Sequence, residues 1–198
     1  QSGEPPEALK LVNGLLSELK KLDDKQMLTE VHLTESRTYF AMRNIPKAKA
    51  SLTASRTAAN SIYVAPMLQA ELDEMSGTLQ CEEGDSTTAF SYFLEAFEGY
   101  EQASSARAVI CLKYMVLCKI LGGHAVEVPA LLSGKHGLKY SGPELEAMRA
   151  IGEAAKKRSL DDFKAALAAH QQYLQADSLI VRHLDILYER MFEANLLK

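Results

Sequence analysis

The side chains able to ligate a metal or act as nucleophile and base are His32, His124, His136, His170, His183, Cys81, Cys111 and Cys118. A zinc centre needs four such groups at one point, usually in closely spaced pairs. Cys111 and Cys118 stand seven apart, on one face of a helix, but no histidine lies near them at ligand spacing. The pattern leaves buried thiols and surface imidazoles, and no metal or other cofactor is expected. Ser133-Gly134-Lys135 has the ending of a phosphate-binding loop, yet that motif needs glycine and a hydroxyl residue where Pro129 and His136 stand. Gly-x-Gly-x-x-Gly, Gly-x-Ser-x-Gly and His-Glu-x-x-His are absent. The carboxylate pairs Asp23-Asp24, Glu82-Glu83 and Asp161-Asp162 fall at expected helix starts or hairpin turns. Capping and the helix dipole explain them better than acid–base chemistry, which needs two carboxylates in different environments of one cleft. Lys156-Lys157-Arg158 ends a helix and complements the opposite dipole end. No nucleophile, base and oxyanion donor can be grouped, so the chain reads as a non-enzyme.

The elements that carry these residues are helical. Prolines at 5, 6, 46, 66, 129 and 143 each precede or begin a stretch whose apolar residues recur every three to four positions, which is how helices start. Strand-type alternation is hard to find. Helices are expected near 6–21, 25–43, 46–63, 66–83, 86–102, 105–120, 126–139, 143–157, 160–175 and 178–197. The connections are short, which makes successive helices antiparallel neighbours.

An internal repeat supports stacked hairpins. Ala48, Leu52 and Ser55 recur 41 residues later as Ala89, Phe93 and Ala96, and a small residue lies twelve positions before each set, Ser36 and Gly77. A weaker copy sits at Phe163, Leu167 and His170. The layout is that of a tetratricopeptide unit with slightly longer helices. Phe90, Phe93, Phe97 and Tyr100 then belong to the core, as do Cys111, Met115 and Cys118 of the next helix, because each hairpin must bury one face against its neighbour. The fold class is an all-α solenoid of antiparallel hairpins.

At 198 residues, with 47% hydrophobic and 24% charged side chains, the chain falls among ordinary globular proteins. A net charge of −4 excludes a dedicated nucleic-acid binder. No apolar stretch approaches the roughly 18 residues that span a bilayer, so no membrane partner is expected. Three cysteines make no disulfide framework, which favours a reducing compartment, cytoplasm or nucleus. The charges are segregated. Residues 36–70 carry Arg37, Arg43, Lys47, Lys49 and Arg56 with no acid, and residues 71–101 carry nine acids with no base. In a solenoid these stretches are neighbouring hairpins that attract one another. The five basic residues are also the candidate partner contacts, since like-signed patches steer and register protein partners.

Residues 89–100, AFSYFLEAFEGY, and 111–120, CLKYMVLCKI, resemble the proteasome-lid branch of the PCI family. So do 19–25, 44–53, 132–135 and 158–163, and the resemblance runs from about residue 7 to the end. The signalosome branch of the family fits the flanking residues less well. The resemblance implies a right-handed superhelix of helix pairs leading into a winged-helix module, and a non-catalytic scaffold. Its partners would be other lid subunits, the ATPase ring and the core particle, engaged through the intact protein. On this reading residues 1–6 lie outside the fold, 7–140 form the repeats, and 141–198 lead toward a winged helix that these residues do not contain. The chain would then be a segment of a longer superhelix. The rival readings are the equivalent signalosome scaffold and a tetratricopeptide-type adaptor whose concave face captures acidic peptides.

Overall fold

The computed structural model describes residues 5–196, and among them there are helices and no strand. Expectations for residues 1–4, 197 and 198 lie outside the described residues; Pro5 and Pro6 begin α1. The order is α1 (Pro5–Leu22), α2 (Lys25–Ala41), α3 (Ile45–Ala59), α4 (Pro66–Glu82), α5 (Ser86–Gln102) and α6 (Ala108–Leu121). A 3-10 turn, Ala125–Glu127, leads into α7 (Val128–Ser133), followed by α8 (Pro143–Lys157), α9 (Leu160–Ala169), α10 (Gln171–Leu174) and α11 (Ser178–Leu196). None of these helices is long and apolar enough to cross a membrane.

Local chemistry sets the starts. Asp24, Asn44, Asp85 and Ser159 each accept the backbone N–H three residues on, satisfying a donor that the first turn leaves unpaired. Prolines begin α4 and α8 and sit second in α3 and α7, where a missing N–H costs nothing. The hairpin turn after α4 passes through Gly84 at φ 83°, a conformation glycine adopts without penalty.

Pairing follows chain order: α2 packs on α3, α4 on α5, α5 on α6 and α8 on α9. The repeat works through close approach. The Ser36 hydroxyl donates to the Ala48 carbonyl at 2.7 Å, while Gly77 gives room to the Phe93 ring. Ala48, Ala89, Phe93, Ala96, Phe97 and Tyr100 are fully buried, as are Cys111 and Met115. Helix α6, apolar but for Lys113 and Lys119, is buried from Cys111 to Cys118, as a helix with so little polar surface must be. The core is beaded along the array, with one cluster between α1 and α2, one among α2, α3 and α4, and the largest from α4 to α11.

The helix expected over 46–63 ends at Ala59, and two others break inside their stretches. The stretch 126–139 stops at Ser133 because Gly134 and Gly137 fold the chain back on α7. A β-carbon on Gly137 would stand 2.2 Å from the Leu132 carbonyl oxygen. The stretch 160–175 breaks at His170, whose φ of −116° and ψ of 19° lie outside helical values.

Candidate functional site

The five basic residues lie on the α2–α3 hairpin, and four of them reach across to α4 and the turn behind it. Arg37 donates to Glu71 at 3.0 Å, and Arg43 grips Glu82 through both terminal nitrogens, at 3.2 and 2.7 Å. Lys49 meets Glu83 at 2.5 Å. Arg56 donates to Asp73 at 2.6 Å and to the Ser76 hydroxyl, with its guanidinium over the Tyr92 ring. Lys47 is the exception, its ammonium lying over Tyr39 at 5.3 Å. The attraction between neighbouring hairpins thus takes the form of a charged seam. The outer part of it stays wet, because the Arg37, Arg43 and Lys49 side chains remain more than 40% exposed.

The acidic stretch is consumed in the same way. Glu74, nearly buried, accepts from the Tyr100 hydroxyl at 2.5 Å and from Arg107. Burial and the Glu74 carboxylate push the Tyr100 phenol far up, so it stays a donor. Asp85 caps α5, and Glu101 takes the Tyr140 hydroxyl and Lys139. Glu95 and Glu98 are exposed and enter no ion pair among the described residues. Glu82 and Glu83 need a correction: they end α4, where the dipole disfavours a carboxylate. Their role is to meet the bases of the preceding hairpin, and for Glu82 also Arg182 at 3.1 Å.

Helix α11 turns back over the array. The Tyr114 hydroxyl donates to Asp177 at 2.7 Å just ahead of it. Leu179 shares a cleft with Phe40 of α2, Met75 and Thr78 of α4, and Tyr114 of α6. Arg182 and His183 then reach the end of α4. Helix α11 therefore packs on α6 and α9 and reaches the end of α4. Spacing alone leaves all five imidazoles on the surface. His183 is instead 5% exposed, because α11 carries it into contact with the Cys81 carbonyl 102 residues away. No local pattern signals such a contact; the apolar stripe Leu179, Ile180 and Leu184 beside it was the available clue.

The Ser133 hydroxyl donates to the Pro129 carbonyl at 2.7 Å, and the Gly134 and Lys135 backbone forms no phosphate cradle because the glycine ends a helix. Among the described residues no group of three or more histidine, cysteine or acidic side chains is placed to hold a metal.

No family model matches the chain. Individual proteins do. It is 50% identical over 193 residues to the probable 26S proteasome regulatory subunit rpn6 of Schizosaccharomyces pombe, covering 97% of this chain and 46% of that protein. It is 47% identical over 196 residues to the 26S proteasome non-ATPase regulatory subunit 11 homolog of Arabidopsis thaliana, covering 99% and 47%. For the 26S proteasome regulatory subunit RPN6 of Saccharomyces cerevisiae the identity is 45% over 203 residues, covering 100% and 47%. The chain spans about half the length of these relatives. Along nearly all of its own length it is a homologue of the Rpn6 or non-ATPase subunit 11 type of 26S proteasome regulatory subunit.

Proposed function

We propose that this chain is a non-catalytic scaffold segment of a proteasome lid subunit, holding binding modules at fixed separation so that the regulatory particle assembles for ubiquitin-dependent degradation. The observation that carries this reading is the 45–50% identity, over nearly every residue, to proteins named as 26S proteasome regulatory subunits. Stiffness supports it, since stacked hairpins lend each repeat the stability of its neighbours, and the charged seam and α11 add ties between hairpins. The partners are other lid subunits, the ATPase ring and the core particle, and the site of action is the cytoplasm and nucleus. Lys47, the exposed ends of Arg37, Arg43 and Lys49, and the part of Arg56 that its contacts leave open are the partner contacts in this proposal. The test replaces this segment by a flexible linker of equal span in the intact subunit and follows reconstitution of the regulatory particle on native gels. Loss of assembly is the expected result, and normal assembly would overturn the proposal.

A further inference from the structure

The basic run 156–158 divides its charges unequally. Lys157 meets Asp162 of α9 at 3.3 Å, and Lys156 lies 3.8 Å from Glu153. Arg158, exposed like them, enters no ion pair among the described residues, and neither does the exposed Arg190 of α11. The dipole of α8 accounts for Lys156 and Lys157 in its last turn. It has no bearing on Arg190, which stands inside a different helix.

Lys156, Arg158 and Arg190 border one groove of about 390 Å³, formed by the end of α6, the 3-10 turn, the end of α8 and α11. Leu121, Val126, Leu187 and Met191 give it an apolar lining, and among the described residues no carboxylate and no aromatic ring lines it. Of the acids on α11, Asp185 lines a separate cleft beside Lys164, and Glu189 and Glu193 line neither. The groove is open to water, since Val126 in its wall is 64% exposed. Its α11 residues run from Leu187 to Asn195, about 12 Å at 1.5 Å per residue, or roughly two helical turns. At Leu121 and Arg190 it adjoins a cavity of about 110 Å³, where the charge of Arg182 is met by Glu82 at 3.1 Å.

An apolar groove edged by cations alone selects its occupant by charge. A small-molecule site encloses its ligand and converges polar groups on it, whereas these cations are spread along an open edge. Single-stranded nucleic acid stacks its bases on aromatic rings, and here there are none. A flat bilayer would leave a concave lining unfilled. An amphipathic helix lays apolar side chains one turn apart into such a groove, and carboxylates on its flanks would meet the arginines that nothing in the chain meets.

We propose that the groove between the 3-10 turn, the end of α8 and α11 docks an acidic amphipathic helix of a partner protein. Its apolar face seats on Leu121, Val126, Leu187 and Met191, and its carboxylates pair with Arg158, Arg190 and Lys156. The site uses none of the five bases of the scaffold proposal and would hold if that proposal failed.

The probe is a fluorescein-labelled synthetic helix with leucines at i, i+4 and i+7 flanked by glutamates, titrated with the 198-residue chain and read by fluorescence anisotropy. Saturable binding that weakens as salt is raised is the expected result, with far weaker binding of the same peptide carrying lysines for glutamates. Arg158→Gly is the informative variant. Arg158 stands at φ 54°, which glycine adopts without penalty, so the variant loses the guanidinium and keeps the fold. Arg158→Gly and Arg190→Ala should each weaken binding roughly 1.5-fold to 5-fold, as loss of an exposed ion pair does. Val126→Glu, at an exposed position, should weaken it further by facing the probe's carboxylates with another. Lys10→Ala, exposed on α1, should leave binding unchanged. Thermal melts followed by circular dichroism establish that each variant is folded. No saturable binding tighter than about 1 mM would overturn the proposal. So would equal binding of the lysine peptide, or full binding by a folded Arg158→Gly/Arg190→Ala double variant. Tighter binding of phosphatidylserine vesicles or of a single-stranded oligonucleotide than of the glutamate probe would overturn it in favour of those surfaces. Self-association in sedimentation that the same double variant abolishes would overturn it in favour of a second copy of the chain.

Discussion

Gly77 of α4 faces the ring of Phe93 on α5 so closely that a β-carbon at residue 77 would stand 2.8 Å from the ring carbon Cε1. The pair is the second copy of the contact that Ser36 makes with the α3 backbone in the first hairpin. One copy closes with a hydrogen bond and the other with an aromatic ring, yet both require a small residue on the first helix.

Truncating the ring and crowding the glycine should therefore be coupled. Phe93→Ala should cost about 3–5 kcal/mol by leaving a cavity, and Gly77→Ala about 1–3 kcal/mol by overpacking. The double variant should be more stable than the sum of the two losses predicts, because the alanine methyl enters space the ring has left. Urea denaturation of the three variants followed by circular dichroism measures the coupling. An additive result would mean the two residues do not touch.

The charged seam should be uneven in strength. Lys49→Ala removes a pair whose side chains are 46% and 38% exposed, and should cost about 0.2–1 kcal/mol. Arg56→Ala should cost about 1.5–3 kcal/mol, the worth of hydrogen bonds to a charged group, since it takes the only paired cation from Asp73, at 11% side-chain exposure, and leaves that carboxylate the Gln69 amide alone. Raising the salt concentration should weaken the Lys49 contribution first. Equal losses in the same denaturation assay would contradict this ordering.

Acid should act through Glu82. Burial pushes its carboxyl up, but Arg43 and Arg182 outweigh burial and hold it below the ordinary 4.5. A carboxylate depressed in the folded state contributes its full stability above the unfolded value and loses it as pH falls through the lower folded value. The melting temperature of the wild-type chain should thus drop below pH 4.5 more steeply than that of Glu82→Gln. Parallel curves from pH 6 to 3 would show that other carboxylates dominate.

Most of the architecture could be read from local chemistry. Helices α2 to α5 announce themselves through Asp24, Asn44, Pro46, Pro66 and Asp85, whose action extends only a turn along the chain. The seam could be read as well, because five bases followed by nine acids on adjoining hairpins leave little choice of partner. Two kinds of information were hidden. Gly134 and Gly137 end α7 inside a stretch whose apolar spacing continues, and their effect depends on the chain folding back over its own helix. Arg182, His183 and Asp177 acquire partners from 63 to 102 residues away, and periodicity carries no record of which distant face an apolar stripe will meet.

The return of α11 has a consequence for how the molecule is made. The hairpins close over short separations, 12 residues from Ser36 to Ala48 and 26 from Glu74 to Tyr100, so they can form while the chain is still emerging from the ribosome. The contact from His183 to Cys81 spans 102 residues, and long-range contacts of that kind form late. Until residues 178–196 have been synthesised, the apolar surfaces of α4 and α6 that α11 covers stay open to water. That interval is when a nascent chain is most prone to aggregate and most in need of a chaperone.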